Sequence, residues 1–258
     1  MTTTPLHIPQ SDPPRPASEI LPTMYDLPSE NPEESGLPDE FHDHQPELLS
    51  ITLKLADYSA NNYFTGKNLN LYYDVRHPNW YKRPDWFLSV GVPRLYENKD
   101  MRLSYVVWQE GVHPYVVVEL LSPDTRKEDL GEVQPPLGSP PAKWAVYEQI
   151  LRVPYYIAFD RYTDEFRAFK LNAGSYEILS LPERRLWMPE LKIGLGLWQG
   201  SYKQVERLWL RWYDSSGDWL PTPDEQIERE RQRANCAESE LAQLKNLLQA
   251  KGIDPAEL

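Results

Sequence analysis

Three short segments carry side chains suited to phosphoryl chemistry. Arg83-Pro84-Asp85 opens a strand-like run, Glu119 interrupts the aliphatic run Val116-Val117-Val118-Glu119-Leu120-Leu121, and Lys143 heads a helical pattern. A carboxylate among five aliphatic neighbours is costly to bury unless something compensates it. A divalent cation is one such compensation. Asp85, at the head of another strand, offers a second oxygen ligand, and Mg²⁺ favours one or two carboxylates completed by waters and substrate phosphate. A nearby lysine then orients a bound water or, as a neutral amine, deprotonates it; as an ammonium it neutralises charge developing on phosphate. Each residue taken singly has a plainer reading. Asp after Pro is often a turn, a strand Glu pairs with an Arg such as Arg83, and a Lys at a helix start is usually solvated. Together the residues support a metal-dependent phosphoryl-transfer enzyme or another hydrolase.

Other chemistries find less support. There is no GxxxxGK[ST], HExxH or GxSxG. Gly194, Gly196 and Gly200 approach a dinucleotide fingerprint, but the last gap is one residue too long and no helix pattern follows, so they read as turn glycines. His77 and His113 are isolated loop or interface residues. His42 and His44 have metal-ligating side chains but read as solvated loop histidines. Trp209, Trp212 and Trp219 read as core.

The elements that must position these residues lie mid-chain. An amphipathic helix is predicted over 46–59. Strands are predicted over 68–75, 85–92, 103–108 and 115–121. A helix follows over 143–151, then strands over 155–160, 166–171 and 176–179, with further short strands to Leu197 and a short helix over 207–213. Strands, one central helix, then strands again predict an α/β domain over 46–215 built on a central mixed sheet flanked by helices. A Pro-rich loop at 131–142 separates Glu119 from Lys143.

The 258-residue chain carries a net charge of -12, unevenly distributed. Residues 1–50 hold ten carboxylates, one base and ten of the 25 prolines, which predicts a disordered acidic arm over 1–45. The span 51–222 is neutral, so the overall acidity does not argue against a nucleic-acid partner. At the other end, Ile227, Ala234, Leu241 and Leu248 recur every seven residues, with Ala237 and Leu244 at the second seam position and Glu230 interrupting it. This predicts a helix over 224–250, capped by Asp224 and stopped by Gly252, that packs on its own body or forms a coiled coil with a second copy in a homo-oligomer. A single cysteine, Cys236, excludes a disulfide framework and a Cys-clustered zinc site. No apolar run reaches the ~20 residues of a membrane span, and residues 1–10 carry no secretory signal pattern. A cytoplasmic setting is the simplest expectation.

The order of the motifs resembles a known family. Arg83-Pro84-Asp85, Val118-Glu119-Leu120-Leu121-Ser122-Pro123-Asp124-Thr125, Asp129-Leu130-Gly131, Lys143 with Tyr147-Glu148, and Val153-Pro154-Tyr155-Tyr156 leading to Asp160 are similar to a widespread bacterial restriction-endonuclease family. That family, long catalogued as a domain of unknown function, belongs to the PD-(D/E)XK nuclease-like superfamily, and the resemblance covers roughly 50–200. It implies a restriction-endonuclease-like fold and hydrolysis of DNA phosphodiesters with Mg²⁺ or Mn²⁺. Asp85, Glu119 and the main-chain carbonyl of Leu120 would bind the metal, and Lys143 would position the attacking water. The superfamily's simple pattern places Lys two residues after the acid, where this chain has Leu121, so the resemblance implies a lysine moved onto the helix. Apart from the resemblance, Lys82, Arg83, Arg94, Lys99, Arg102, Arg126 and Lys127 lie near these motifs and either form a phosphate-facing surface or are scattered surface charges paired with Asp100, Glu128 and Asp129. The alternative is a catalytically inactive protein of the same fold that serves as a binding or assembly module.

Overall fold

A computed structural model describes residues 13–23, 26, 39–122, 126–136 and 138–250. It divides into two units, one ending at Trp219 and one beginning at Leu220. In chain order the strands are β1 (Tyr63–Lys67), β2 (Leu71–Tyr72), β3 (Tyr81–Lys82), β4 (Trp86–Val90), β5 (Tyr105–Val106) and β6 (Val116–Leu120). They continue with β7 (Tyr155–Asp160), β8 (Glu165–Asn172), β9 (Ser175–Ile178), β10 (Arg185–Met188), β11 (Ile193–Tyr202) and β12 (Val205–Tyr213). The helices are α1 (Ala17–Ile20), α2 (Phe41–Thr52), α3 (Val107–Glu110), α4 (Arg126–Asp129), α5 (Lys143–Ala145), which runs on as a π-helical turn (Val146–Ile150), and α6 (Pro223–Ala250).

The central sheet has the order β1-β4-β6-β7-β8-β9, flanked by the small sheets β3-β2-β5 and β10-β11-β12. Only β6 and β7 run parallel in the central sheet; their outer neighbours are antiparallel, so the sheet is mixed as the residue pattern predicts. Every residue of β6 is buried, which explains its unbroken Val-Val-Val run. Side chains alternate across the sheet. Val117 joins Phe87, Val146, Tyr147 and Tyr156 in the core of one face. On the other face, Trp86 packs on Trp212 at 5.6 Å. The Gln45 side chain exchanges two 2.8 Å hydrogen bonds with the main chain of Leu210, tying α2 to β12.

Four differences from the sequence expectation stand out. The first helix spans Phe41–Thr52 rather than 46–59, with Pro46 inside it. Asp39 Oδ1 accepts the His42 main-chain N–H at 3.2 Å and so caps the helix start, and Phe41 stacks on Trp209 at 5.4 Å. Residues 41–45, assigned by composition to the disordered arm, are therefore helical. Residues 207–213 form strand, not helix. Lys203 and Gln204, at φ 48° and 66°, make a two-residue hairpin turn that returns β12 onto β11. Gly194 is a strand residue of β11, not a turn glycine, because the Tyr213 ring lies over it and a Cβ there would fall 2.0 Å from Tyr213 Cζ. Finally, the strand expected over 68–75 shrinks to β2, that over 103–108 gives way to α3 after β5, and β1 has no counterpart in the expectation.

In the second unit, α6 matches the predicted helix, but its cap is Thr222 rather than Asp224. Thr222 Oγ1 accepts the Glu225 N–H at 3.2 Å, and Glu225 Oε2 accepts the Thr222 N–H at 2.8 Å, a reciprocal capping box with Pro223 as the first helical residue. Gly252 lies outside the described residues. Among the described residues no helix is long and apolar enough to cross a membrane.

Candidate active site

β6 delivers Glu119 to the middle of the sheet. The β4/β6 ladder ends at Trp86 opposite Val118, so Asp85, one residue further, stands opposite Glu119 on the same face. On the other side Glu119 pairs with Ala158, whose small side chain leaves space above the sheet. Lys143 and Tyr147 fill that space from α5 and the π-helical turn. Four residues apart, they share one face of the helix, and both reach Glu119. Lys143 Nζ lies 3.0 Å from Glu119 Oε2, and Tyr147 Oη donates to Glu119 Oε1 at 2.7 Å. The π turn, closed by the Leu151 N–H on the Val146 carbonyl, is a geometry that recurs at functional sites.

The Pro-rich link does not displace Lys143. Glu128 accepts the Lys143 main-chain N–H at 3.3 Å and the Lys82 ammonium at 3.0 Å, pinning the start of α5 to α4. Tyr156 Oη holds the Asp129 carbonyl at 2.8 Å from beneath. Gly131, at φ +74°, lets the Trp144 indole lie against the chain where a Cβ would fall 2.9 Å from Trp144 Cγ. The same anchoring brings in a carboxylate that sequence reasoning placed in Asp129-Leu130-Gly131 and among partners of surface bases, not among the site residues. Asp129 is 1% exposed, and its Oδ1 lies 3.0 Å from Lys143 Nζ. Neither Asp129 carboxylate oxygen has a hydrogen-bond partner, so its contact with Lys143 is an ion pair without directed geometry.

Asp85 Oδ2 accepts the Leu120 main-chain N–H at 2.6 Å. The Leu120 carbonyl accepts from His42 Nε2 at 3.0 Å. His42 is 2% exposed and is therefore no solvated loop histidine. Nothing in its Pro-rich, acidic sequence surroundings signalled this; the contact joins residues 78 positions apart.

Three carboxylates, Asp85, Glu119 and Asp129, thus surround one ammonium. Burial drives the Glu119 carboxyl well above the ordinary range against the pull of Lys143, and Asp129 and Asp85 push it the same way. Burial also raises Asp85, opposed by Lys143 and by the Leu120 N–H. Lys143 behaves oppositely. Burial disfavours its charge, yet Glu119, Asp129 and Asp85 together hold it above the ordinary lysine range, so it is a firm ammonium.

The other candidate residues lie elsewhere. His77 Nδ1 is 2.9 Å from Asp74, and its ring stacks on Trp80. His113 Nδ1 donates to the Leu151 carbonyl at 2.6 Å. Arg83 Nε donates to Asn70 at 2.9 Å rather than pairing with Glu119. Asp43, His44 and Glu47 bring ligand atoms within 4.8 Å of one another, but His44 Nε2 contacts Glu40 and Glu47 pairs with Lys203. The basic residues expected to face phosphate do not form one free surface. Arg102 is buried in an ion pair with Glu110 at 2.7 Å, and Arg126 bridges Asp160 and Glu165 at 2.6 and 2.7 Å. Arg94, Lys99 and Lys127 remain exposed. Pro123, Asp124 and Thr125 lie outside the described residues.

Comparison with known proteins agrees with the motif order. Residues 19–202 match the Uma2 family, described as putative restriction endonuclease. No curated protein matches the chain. Among solved structures the chain is similar to a putative nuclease belonging to DUF820 from Anabaena variabilis ATCC 29413. The identity is 14%, covering 66% of this chain and 90% of that one, with a TM-score of 0.44.

Proposed function

Because the chain belongs to the Uma2 putative restriction endonuclease family, we propose that it is a metal-dependent endonuclease hydrolysing DNA phosphodiester bonds at Asp85, Glu119 and Lys143. The observation that carries this reading is the buried charge imbalance. Three carboxylates face one ammonium, and Asp129 presents two oxygens with no hydrogen-bond partner. Such a site retains a proton or takes up a cation.

The residues fit a hard divalent ion, because all the donors are oxygens. Asp85, Glu119 and the second lone pair of the Leu120 carbonyl would hold Mg²⁺ or Mn²⁺, with Asp129 beside them. When bound, such an ion supplies Lewis-acid polarisation of the phosphate and a more acidic water. The protein's own part follows from the contacts. Lys143, kept as an ammonium, donates rather than accepts a proton, so it orients the attacking water and offsets negative charge developing on the phosphate. Tyr147 fixes one Glu119 oxygen, leaving the carboxylate little rotational freedom. Glu128 fixes the backbone from which Lys143 projects.

Incubating the protein with plasmid DNA and Mg²⁺ or Mn²⁺ tests this, with Glu119→Ala and Lys143→Ala as controls. Cleavage that survives both substitutions overturns the assignment. One observation favours the second reading, a binding or assembly module that does not cut: both Glu119 oxygens already have partners, Lys143 and Tyr147. A folded wild-type protein that takes up no metal would support that reading instead.

A further inference from the structure

Leu120 ends the middle strand in an unusual position. The Leu121 N–H goes to the Phe159 carbonyl on β7, so the main-chain groups of Leu120 face the opposite side, where β4 would continue. The β4/β6 ladder has already stopped at Trp86 opposite Val118. A buried N–H and C=O left outside a ladder need other partners. Side chains provide both: Asp85 takes the N–H and His42 Nε2 donates to the carbonyl.

We infer that His42 is a positioning residue of the site, acting through the Leu120 carbonyl and held in turn by Asp39 and Arg161. His42 Nδ1 lies 2.9 Å from Asp39 Oδ1, and Asp39 Oδ2 lies 2.8 Å from Arg161 Nη2. Both ring nitrogens therefore face oxygens, which fixes the plane of the ring. Helix capping explains the Asp39 contact with the His42 main-chain N–H, and any residue at 42 would satisfy it. Capping does not explain a ring that leaves α2 for the strand bearing Glu119. The arrangement matches the outer-shell donors that orient ligands around metal ions.

The inference rests on the nuclease reading, and the experiment separates the two. Mn²⁺ binding is measured by calorimetry on the full chain for wild type, His42→Gln, His42→Asn and His42→Ala, with plasmid cleavage and thermal melting alongside. Gln places an amide N–H where Nε2 stands and can keep the Leu120 bond; Asn places one where Nδ1 stands and can keep only the Asp39 bond. Gln is expected to bind Mn²⁺ like wild type, while Asn and Ala bind about 10–100-fold more weakly. Should Ala fail to fold, Gln against Asn decides. Wild-type affinity in His42→Ala or His42→Asn, or a Gln variant as weak as Ala, overturns the role of His42 and leaves the nuclease reading standing. A folded wild type that neither binds Mn²⁺ nor cuts overturns both.

Discussion

Lys143 and Glu119 form an ion pair, Nζ to Oε2 at 3.0 Å, with the Glu119 side chain fully shielded from solvent and that of Lys143 17% exposed. The same ammonium touches Asp129 at 3.0 Å. One cation is thus shared by two buried carboxylates with a third close by. Such a cluster is weak evidence for stability but strong evidence for sensitivity, because removing the ammonium strands the carboxylates around it, whereas losing one carboxylate leaves Lys143 the others.

Lys143→Met keeps most of the side-chain volume and removes the charge. It is expected to lower stability by about 3–5 kcal/mol in metal-free buffer, the usual consequence of stranding a buried charge, and to abolish cleavage. Urea unfolding with chelator present is the measurement. An unchanged midpoint would mean that the ion pair is not formed in solution.

Glu119→Gln has the opposite sign. An acid whose folded pKa is raised holds a proton in the folded state that the unfolded chain has already released. Its contribution is complete below the unfolded value of about 4.3 and is lost as pH rises through the folded value. Burial raises Glu119 in this way. Without metal, wild-type stability should therefore fall as pH rises above the ordinary carboxylate range, whereas Glu119→Gln should show a flatter profile and a higher Tm at pH 8. Each kcal/mol regained would appear as ~2–4 °C. Melting curves at several pH values in chelator check this, and parallel profiles would contradict it.

The contrast between Glu119 and His42 shows what the sequence made legible. Glu119 stood out because a charge inside an aliphatic run violates a local pattern, and Asp85 and Lys143 followed from motif order. The central strands were legible for the same reason, since β6 and β7 are apolar on both faces. His42 violates nothing locally. Its burial depends on Phe41 packing against Phe159 and Trp209 far along the chain. β12 was misread because Leu208, Trp209, Leu210 and Trp212 suit a buried strand or a helix equally. The turn that decides between them, Lys203-Gln204, carries neither Gly nor Asn.

Asp129→Asn tests the carboxylate that the structure adds to the site. Its oxygens face Lys143 without accepting a hydrogen bond, so the amide removes a like charge near Glu119 and breaks no directed bond. Stability without metal should hold or rise, while Mn²⁺ affinity should fall, with cleavage falling alongside. Calorimetry and urea unfolding on the same preparation separate the two effects. Loss of stability with unchanged Mn²⁺ affinity would make Asp129 a structural counter-ion of Lys143.

α6 leads to a prediction independent of the chemistry. Ile227, Leu241, Leu244 and Leu247 are exposed along it, and Ile227, Ala234, Leu241 and Leu248 keep a seven-residue spacing. In a parallel pair with a second copy, Arg233 of one helix meets Glu238 of the other, and Glu240 meets Lys245, so the charges flanking the seam are complementary. Glu230 falls on the seam and weakens the first heptad, which leaves the pairing to residues 234–248. The full chain is therefore expected to self-associate, and the double substitution Leu241→Glu with Leu244→Glu to return it to monomer while leaving the fold of the first unit unchanged by circular dichroism. Light scattering across a concentration series is the measurement. A wild-type chain that stays monomeric at every concentration would show that two alanines and a glutamate leave too little apolar seam for the helices to pair.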